Sequence, residues 1–282
     1  MCGTKHFVQE AYAEKLVEYT EMLLYYFKYR QCDPKTLELL IESFKMVDLC
    51  IRKKGDLGMG ILVFDVGTSS MRGVLINDKA DILCQFHRKY HPTFYSSVKV
   101  TQDPEIWRKA LYDIARDVGD WCKDQNEEVE MISLTAQRTS IIPVDHKGDP
   151  LCDAVMWQDK RNIEVCTRLS AMNGQIIRKS GTMVNPVFSG SKMAWLKETA
   201  PEIYKKADRI FVVADYLLYH MTGQRKLDRT YASRSHLMNL RTGRWDSVLL
   251  DIFGIEKNKL CDLIDQENFM DIQMRNLRKY KT

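Results

Sequence analysis

Apolar residues recur along this chain in two rhythms, and the rhythm changes near Gly55 to Met59. Upstream, Val8, Ala11, Tyr12, Leu16, Tyr19, Leu23, Tyr26 and Phe27 recur at helical spacing, which predicts a helix from about Phe7 to Arg30. A second helix is better punctuated. Asp33 is a natural N-cap, Pro34 sits at the first helical position, and Lys53-Lys54-Gly55 closes it with cations and a C-cap glycine. Its stripe is Leu37, Leu40, Ile41, Phe44, Val47 and Ile51. Residues 1–58 therefore read as a helical hairpin that packs its apolar faces on something, with no catalytic constellation inside it.

Downstream the period shortens. Ile61-Leu62-Val63-Phe64 is a β-rich run ending at Asp65-Val66-Gly67-Thr68-Ser69-Ser70, and Met71 to Ile76 follows at once, closed by an Asn77-Asp78 turn. A third extended stretch covers about Ile82 to Tyr90. Asp103-Pro104 then caps a long helix carrying Trp107, Leu111, Ile114, Val118 and Trp121. Val129 to Thr135 and Ser140 to Asp145 read as strands, and His146-Lys147-Gly148-Asp149 as a turn. Beyond Lys160 the pattern is mostly helical, broken by an apolar run at Ile210 to Ala214. This order predicts an α/β layout, a mixed sheet flanked by helices and preceded by the helical hairpin.

Composition narrows the function classes. The 282 residues hold 42 Lys and Arg against 38 Asp and Glu, a formal charge of +4, which is far from the one-sided excess of a nucleic-acid binder. Hydrophobic content of 45% with 28% charge predicts a globular chain. No apolar run approaches the roughly 18 residues of a membrane span, and the N-terminus runs straight into charged sequence. Eight cysteines without a CxxC pair are expected to be free thiols in a reducing cytoplasm, with Cys84, Cys122, Cys152 and Cys166 beside apolar runs and inert. His87 and His91 have no further metal ligands nearby in sequence and read as a solvated strand end.

Asp65 to Ser70 is the first segment with chemical content. A buried strand delivers a carboxylate to its C-terminal end, a glycine allows a sharp bend, and hydroxyls and exposed N–H groups follow, then Arg72. Backbone N–H groups in such a bend form an anion-binding concavity. The carboxylate beside it can hold Mg²⁺ together with phosphate oxygens. Taken alone, the same residues also describe a plain hairpin whose Asp and Ser only satisfy the turn. No Walker-type loop occurs.

The segment from Ile61 to Arg72 resembles the opening strand-turn-strand of the FGGY carbohydrate kinases, the family of glycerol and xylulose kinases. Further blocks resemble that family in order: Ile132 to Thr139 with its Gln137-Arg138 pair, Ala154 to Arg161 with Trp157-Gln158-Asp159, Asn185 to Lys192, and Tyr231 to Leu240. The resemblance implies a ribonuclease H-like, actin-like ATPase fold over residues 59–265, as the family's N-terminal sugar-binding domain, with residues 266–282 a polar tail. It implies transfer of the ATP γ-phosphate to a sugar hydroxyl, with Mg²⁺. Asp65 would then stand at the metal, and Gly67, Thr68, Ser69 and Arg72 at the phosphates. Gln137, Arg138, Trp157, Gln158 and Asp159 would face the sugar or polyol. Those types suit the task, since an arginine fork and a flat indole recognise hydroxyls and an apolar sugar face. Thr139 and Val187 depart from glycerol kinases, which have an acidic residue and a Tyr there, so another sugar, ketose or polyol is the expected acceptor.

The family's base, an Asp in a Gly-Asp-Gln motif, and its second, adenine-holding domain have no counterpart in this sequence. Ile264-Asp265-Gln266 lacks the glycine and reads as a surface loop. The expectation is a chain weak or inactive alone, served by a second-lobe chain or a homodimer. The alternatives are a non-catalytic sugar-binding or scaffold remnant, and another actin-like ATPase that does not act on sugars.

Overall fold

The computed structural model describes residues 59–265, so the helical hairpin expected over 1–58 and the polar tail 266–282 lie outside the described residues. In chain order the first half runs β1 (Met59–Val66), β2 (Ser70–Ile76), β3 (Ile82–Lys89), β4 (Thr93–Phe94), β5 (Val100–Gln102), α1 (Pro104–Gln125), β6 (Glu128–Ala136), β7 (Ile141–Val144) and β8 (Ala154–Val155). The second half runs α2 (Ile163–Leu169), α3 (Asn173–Ser180), α4 (Ser189–Thr199), α5 (Pro201–Lys206), β9 (Arg209–Val212), α6 (Val213–Thr222), α7 (Arg229–Ala232) and α8 (Ser247–Phe253).

Two sheets organise these elements. The first has the order β3-β2-β1-β6, with β1 antiparallel to β2 and parallel to β6. Alternation explains it: Leu62, Phe64 and Val66 on β1 and Met71 and Leu75 on β2 all point into one core. The helix α1 covers that face with Trp107, Ala110, Leu111, Ile114, Val118 and Cys122, a stripe at helical spacing. Asp103 caps it as expected, accepting a hydrogen bond from the Glu105 N–H at 2.9 Å. At the other end Asn126 takes a left-handed conformation, with φ of 57°, and stops the helix.

The second sheet, β4-β5-β8-β7-β9, splits the single mixed sheet that the sequence predicts into two. Three of its strands have only two or three residues, too short to show alternation. It is backed by a second core in which Ile141, Val155, Met193, Leu196, Leu237 and Leu249 meet. A short strand, Asp262–Ile264, runs parallel to Lys226–Asp228, and Asp265, just beyond it, is exposed outside any strand and pairs with Arg229.

One close contact fixes α1 against the first sheet. A Cβ built on Gly73 would stand 2.3 Å from Ile114 Cγ2, far inside van der Waals contact. Gly73→Ala is therefore expected to lower stability by about 1–3 kcal/mol, read as a shift in the urea midpoint at unchanged slope. An unchanged midpoint would show that the helix can ride outward freely.

Candidate functional site

The tip of β1, the bend after it, the end of β6 and the segment after β8 come together through their backbones. Gly67 N–H donates to Ser70 O at 2.8 Å, closing the bend, and Gln137 N–H donates to Val66 O at 2.7 Å, extending the β1–β6 ladder to the site. Gly67 does not sit in left-handed backbone. Its missing side chain serves close approach instead, since a Cβ there would lie 3.2 Å from Ser70 O. Tyr90, buried at the end of β3, clasps the bend twice. Its N–H donates to Ser69 O at 2.9 Å and its hydroxyl to Gly67 O at 3.0 Å.

Asp65 lies opposite Arg72 in the β1–β2 register. Burial pushes its carboxyl up, and the Arg72 guanidinium pulls it part of the way back. Burial also pushes the Tyr90 phenol up, with the Asp65 charge adding to the effect. Thr68 and Ser69 follow, with Ser69 exposed and Thr68 half-buried.

Thr68 joins this bend to the next wall. Its hydroxyl accepts a hydrogen bond from Trp157 Nε1 at 3.0 Å and donates to Gln137 Oε1 at 3.5 Å. Ser140 closes the circuit, donating to Gln137 Oε1 at 3.3 Å and accepting from Trp157 N–H at 3.0 Å. The indole is thereby held with 38% of Trp157 exposed. Gln137 Nε2 and Gln158 Oε1 are buried and have no protein partner. Between them Thr139 adopts φ of 71°, a conformation that a β-branched residue rarely takes. Its hydroxyl turns back to donate to Arg138 O at 2.6 Å.

Arg138 donates to Thr230 O at 3.4 Å and lies 5.1 Å from the Tyr231 ring centroid. The Tyr231 hydroxyl in turn accepts from Ala136 N–H at 2.7 Å, tying α7 to the end of β6.

Eight of the expected site residues thus cluster: Asp65, Gly67, Thr68, Ser69, Arg72, Gln137, Arg138 and Trp157. Asp159 is a correction. It is 1% exposed, and its carboxylate accepts from Val100 N–H at 2.9 Å and pairs with Arg161 at 2.8 Å. Oδ2 ties β5 to the Trp157 segment and Oδ1 accepts from Arg161 N–H at 3.0 Å, so neither oxygen is left to bracket a hydroxyl. Tyr90 and Ser140 carry the site's geometry but gave no signal in sequence, because they act across 23 and 17 residues, and Tyr231, which opens one of the resembling blocks, acts across 95.

Among the described residues no group of three or more His, Cys, Asp or Glu could hold a metal. One partly buried carboxylate beside a phosphate-type bend still fits Mg²⁺, which accepts few protein carboxylates when phosphate oxygens and water supply the rest. Asp65 would hold it, and only with a nucleotide present.

A sheet that delivers a carboxylate and a hydroxyl-rich bend to one edge, with an arginine and an indole opposite, defines a lobe of the actin-like ATPase fold. The chain matches the FGGY family of carbohydrate kinases, N-terminal domain, over residues 60–277. It is 33% identical over 228 residues to the glycerol kinase of Coxiella burnetii, covering 76% of this chain and 45% of that protein. It is 30% identical over 227 residues to the glycerol kinase of Rhodopseudomonas palustris, covering 77% and 45%. The crystal structure of Plasmodium falciparum glycerol kinase with ADP superposes with a TM-score of 0.75 at 26% identity, covering 81% of this chain and 47% of that one. The chain belongs to the FGGY family of carbohydrate kinases and carries its N-terminal domain. It spans about half the length of the curated relatives it matches.

Proposed function

We propose that this chain supplies the acceptor-binding and phosphate-binding wall of a carbohydrate kinase that transfers the ATP γ-phosphate to a hydroxyl of a sugar or polyol. One observation carries the reading: the Thr68 hydroxyl joins the phosphate-type bend to the indole of Trp157 and the amide of Gln137. A polyol laid on that indole has its hydroxyls beside the bend that would hold the transferred group.

In such a site the residues mostly position and neutralise. The backbone of Gly67 to Ser69 would orient the phosphates, with Arg72 drawing charge from the group in flight. Arg138, Gln137 and Trp157 would fix which hydroxyl faces it. Mg²⁺, held at Asp65, would screen the nucleotide charge. Adenine and the base that takes the hydroxyl proton would come from a second lobe, on the same or another chain.

The test is calorimetry of the purified chain with glycerol, pentitols, ketoses and sugar acids. At least one is expected to bind, and Trp157→Ala is expected to weaken it at least about tenfold, the loss of one buried aromatic contact. Turnover with Mg-ATP is expected to stay below about 1 s⁻¹, the lower end of kinase rates. Absence of binding by every member of the panel would defeat the reading.

A further inference from the structure

At the end of β6 away from the acceptor wall, the first sheet and α1 enclose a cavity of about 530 Å³. Its walls are Gly119, Cys122 and Lys123 in the last turns of α1, the left-handed turn at Asn126, and residues 127–129 at the start of β6. Glu127 N–H donates to Cys122 O at 2.9 Å and folds that turn under the helix.

Two observations fit this cavity to a piece of polypeptide. Gly119 stands in the interior of the 22-residue α1, where glycine weakens a helix relative to alanine. At Gly73 the absent side chain answers a close contact with Ile114, but at Gly119 a Cβ would meet nothing within 4 Å among the described residues. Its effect is to widen the cavity. The second observation is the path of the chain. Met59 lies opposite Glu128 and Gly60 opposite Val129, but Ile61 lies opposite Met131, so the ladder slips and Glu130 has no partner on β1. Such a slip re-aims the strand, here where residues 1–58 join it.

The residues that arrive there are Ile51-Arg52-Lys53-Lys54-Gly55-Asp56-Leu57. Their charge complements the rim. Asp124, Glu127, Glu128 and Glu130 surround the corner, while Lys123 is already paired with Asp120 at 2.9 Å. The C-terminal end of α1 adds its own negative pole, which favours cations. Lys54 precedes Met59 by five residues, a reach of up to roughly 17 Å. Leu57 is the apolar counterpart to the buried Cys122 and half-buried Val129.

We propose that residues 51–57 of this same chain dock in the α1–β6 cavity, with Lys53 and Lys54 against Glu127 and Glu128 and with Leu57 beside Gly119. The surface fastens the N-terminal region to the kinase domain at the end opposite the acceptor site, and it stands apart from the kinase reading.

Carbodiimide joins an amine to a carboxylate only when the two touch, so it tests the purified chain without any substitution. A link from Lys53 or Lys54 to Glu127 or Glu128 within one chain is expected, mapped by mass spectrometry. Gly119→Leu fills the cavity and is expected to speed deuterium exchange of the amides in residues 51–57 at least about tenfold, as their opening equilibrium shifts. Circular dichroism checks that the variant folds, and sugar binding is expected to stay as in the parent. Glu127→Lys with Glu128→Lys should also speed that exchange, and added salt should do so in the parent. Three results would each overturn the inference: no link in the parent, links only between chains that vanish on dilution, or a Gly119→Leu chain with a raised urea midpoint and unchanged exchange in residues 51–57. The last is what a better helix facing open solvent would give.

Discussion

Replacing Lys192 by alanine is expected to cost about 4 kcal/mol of stability, and replacing it by methionine about 2 kcal/mol. Lys192 sits in the first turn of α4 with no exposed surface. Its Nζ donates to the Asp159 carbonyl at 2.7 Å and to the Pro186 carbonyl at 2.6 Å. These bonds fasten the segment after Trp157 to the turn that precedes α4. Methionine keeps the apolar stem and removes the donors, leaving the Asp159 carbonyl unmet at about 1–3 kcal/mol, while Asn162 Nδ2 still donates to the Pro186 carbonyl at 3.0 Å. Part of that loss is offset, because a buried ammonium is itself costly. Burial, opposed by the charge of Asp159, brings Lys192 down to about 8. Alanine removes the stem as well, and the cavity adds to the cost. Urea unfolding of both variants reads the difference. Since Trp157 is carried on the fastened segment, Lys192→Met should also weaken acceptor binding. A methionine variant as stable as the parent would show that the Asp159 carbonyl finds another donor.

That residue shows where the sequence stopped being legible. β1, β2, β3, α1 and β6 were readable because each is long enough to display its period, and α1 also carries its Asp103-Pro104 start. The strands β4, β5 and β8 were not, since two or three residues show no alternation and pairing across the sheet alone defines them. The site divides the same way. Asp65 to Arg72 and the Gln137-Arg138 pair stand at strand ends that periodicity locates. Asp159 looked available in sequence, but its partner is the Val100 N–H, 59 residues away. Lys192 sits where helix periodicity alone cannot say that the neighbouring turn closes over it.

The pH dependence of stability follows from three buried groups whose effects oppose. His220 is brought down to about 4 by burial and then by the charge of Arg108. His236 is brought down to about 4 by burial and then by Arg234. It stands against Phe188 and Phe253, with Thr182 at 2.8 Å from Nε2. Between pH 6.5 and about 4 the unfolded chain binds protons that these two native histidines refuse, so stability falls as pH falls. Asp215 acts the other way. Fully enclosed, it accepts from Val212 N–H at 2.5 Å and from Cys261 Sγ at 3.3 Å, and burial raises it to about 8. From about pH 4 to 8 the native state keeps a proton that the unfolded chain releases, so its contribution is lost as pH rises. Below pH 6.5 two histidines outweigh one aspartate, and above it the aspartate acts against no histidine. From these three groups the expected profile therefore peaks near pH 6.5 and drops on each side by up to about 1.4 kcal/mol per pH unit, with Lys192 opposing the fall as pH nears 8. Urea midpoints at pH 4.5, 6.5 and 8 read it directly. Asp215→Asn keeps an acceptor for Val212 and removes the titration, so it should abolish the fall between pH 6.5 and 8. It should also steepen the acid side, where the histidines then act unopposed. A variant with the parent's alkaline fall would mean that Asp215 is ionised in the fold, and that another group sets that side of the profile.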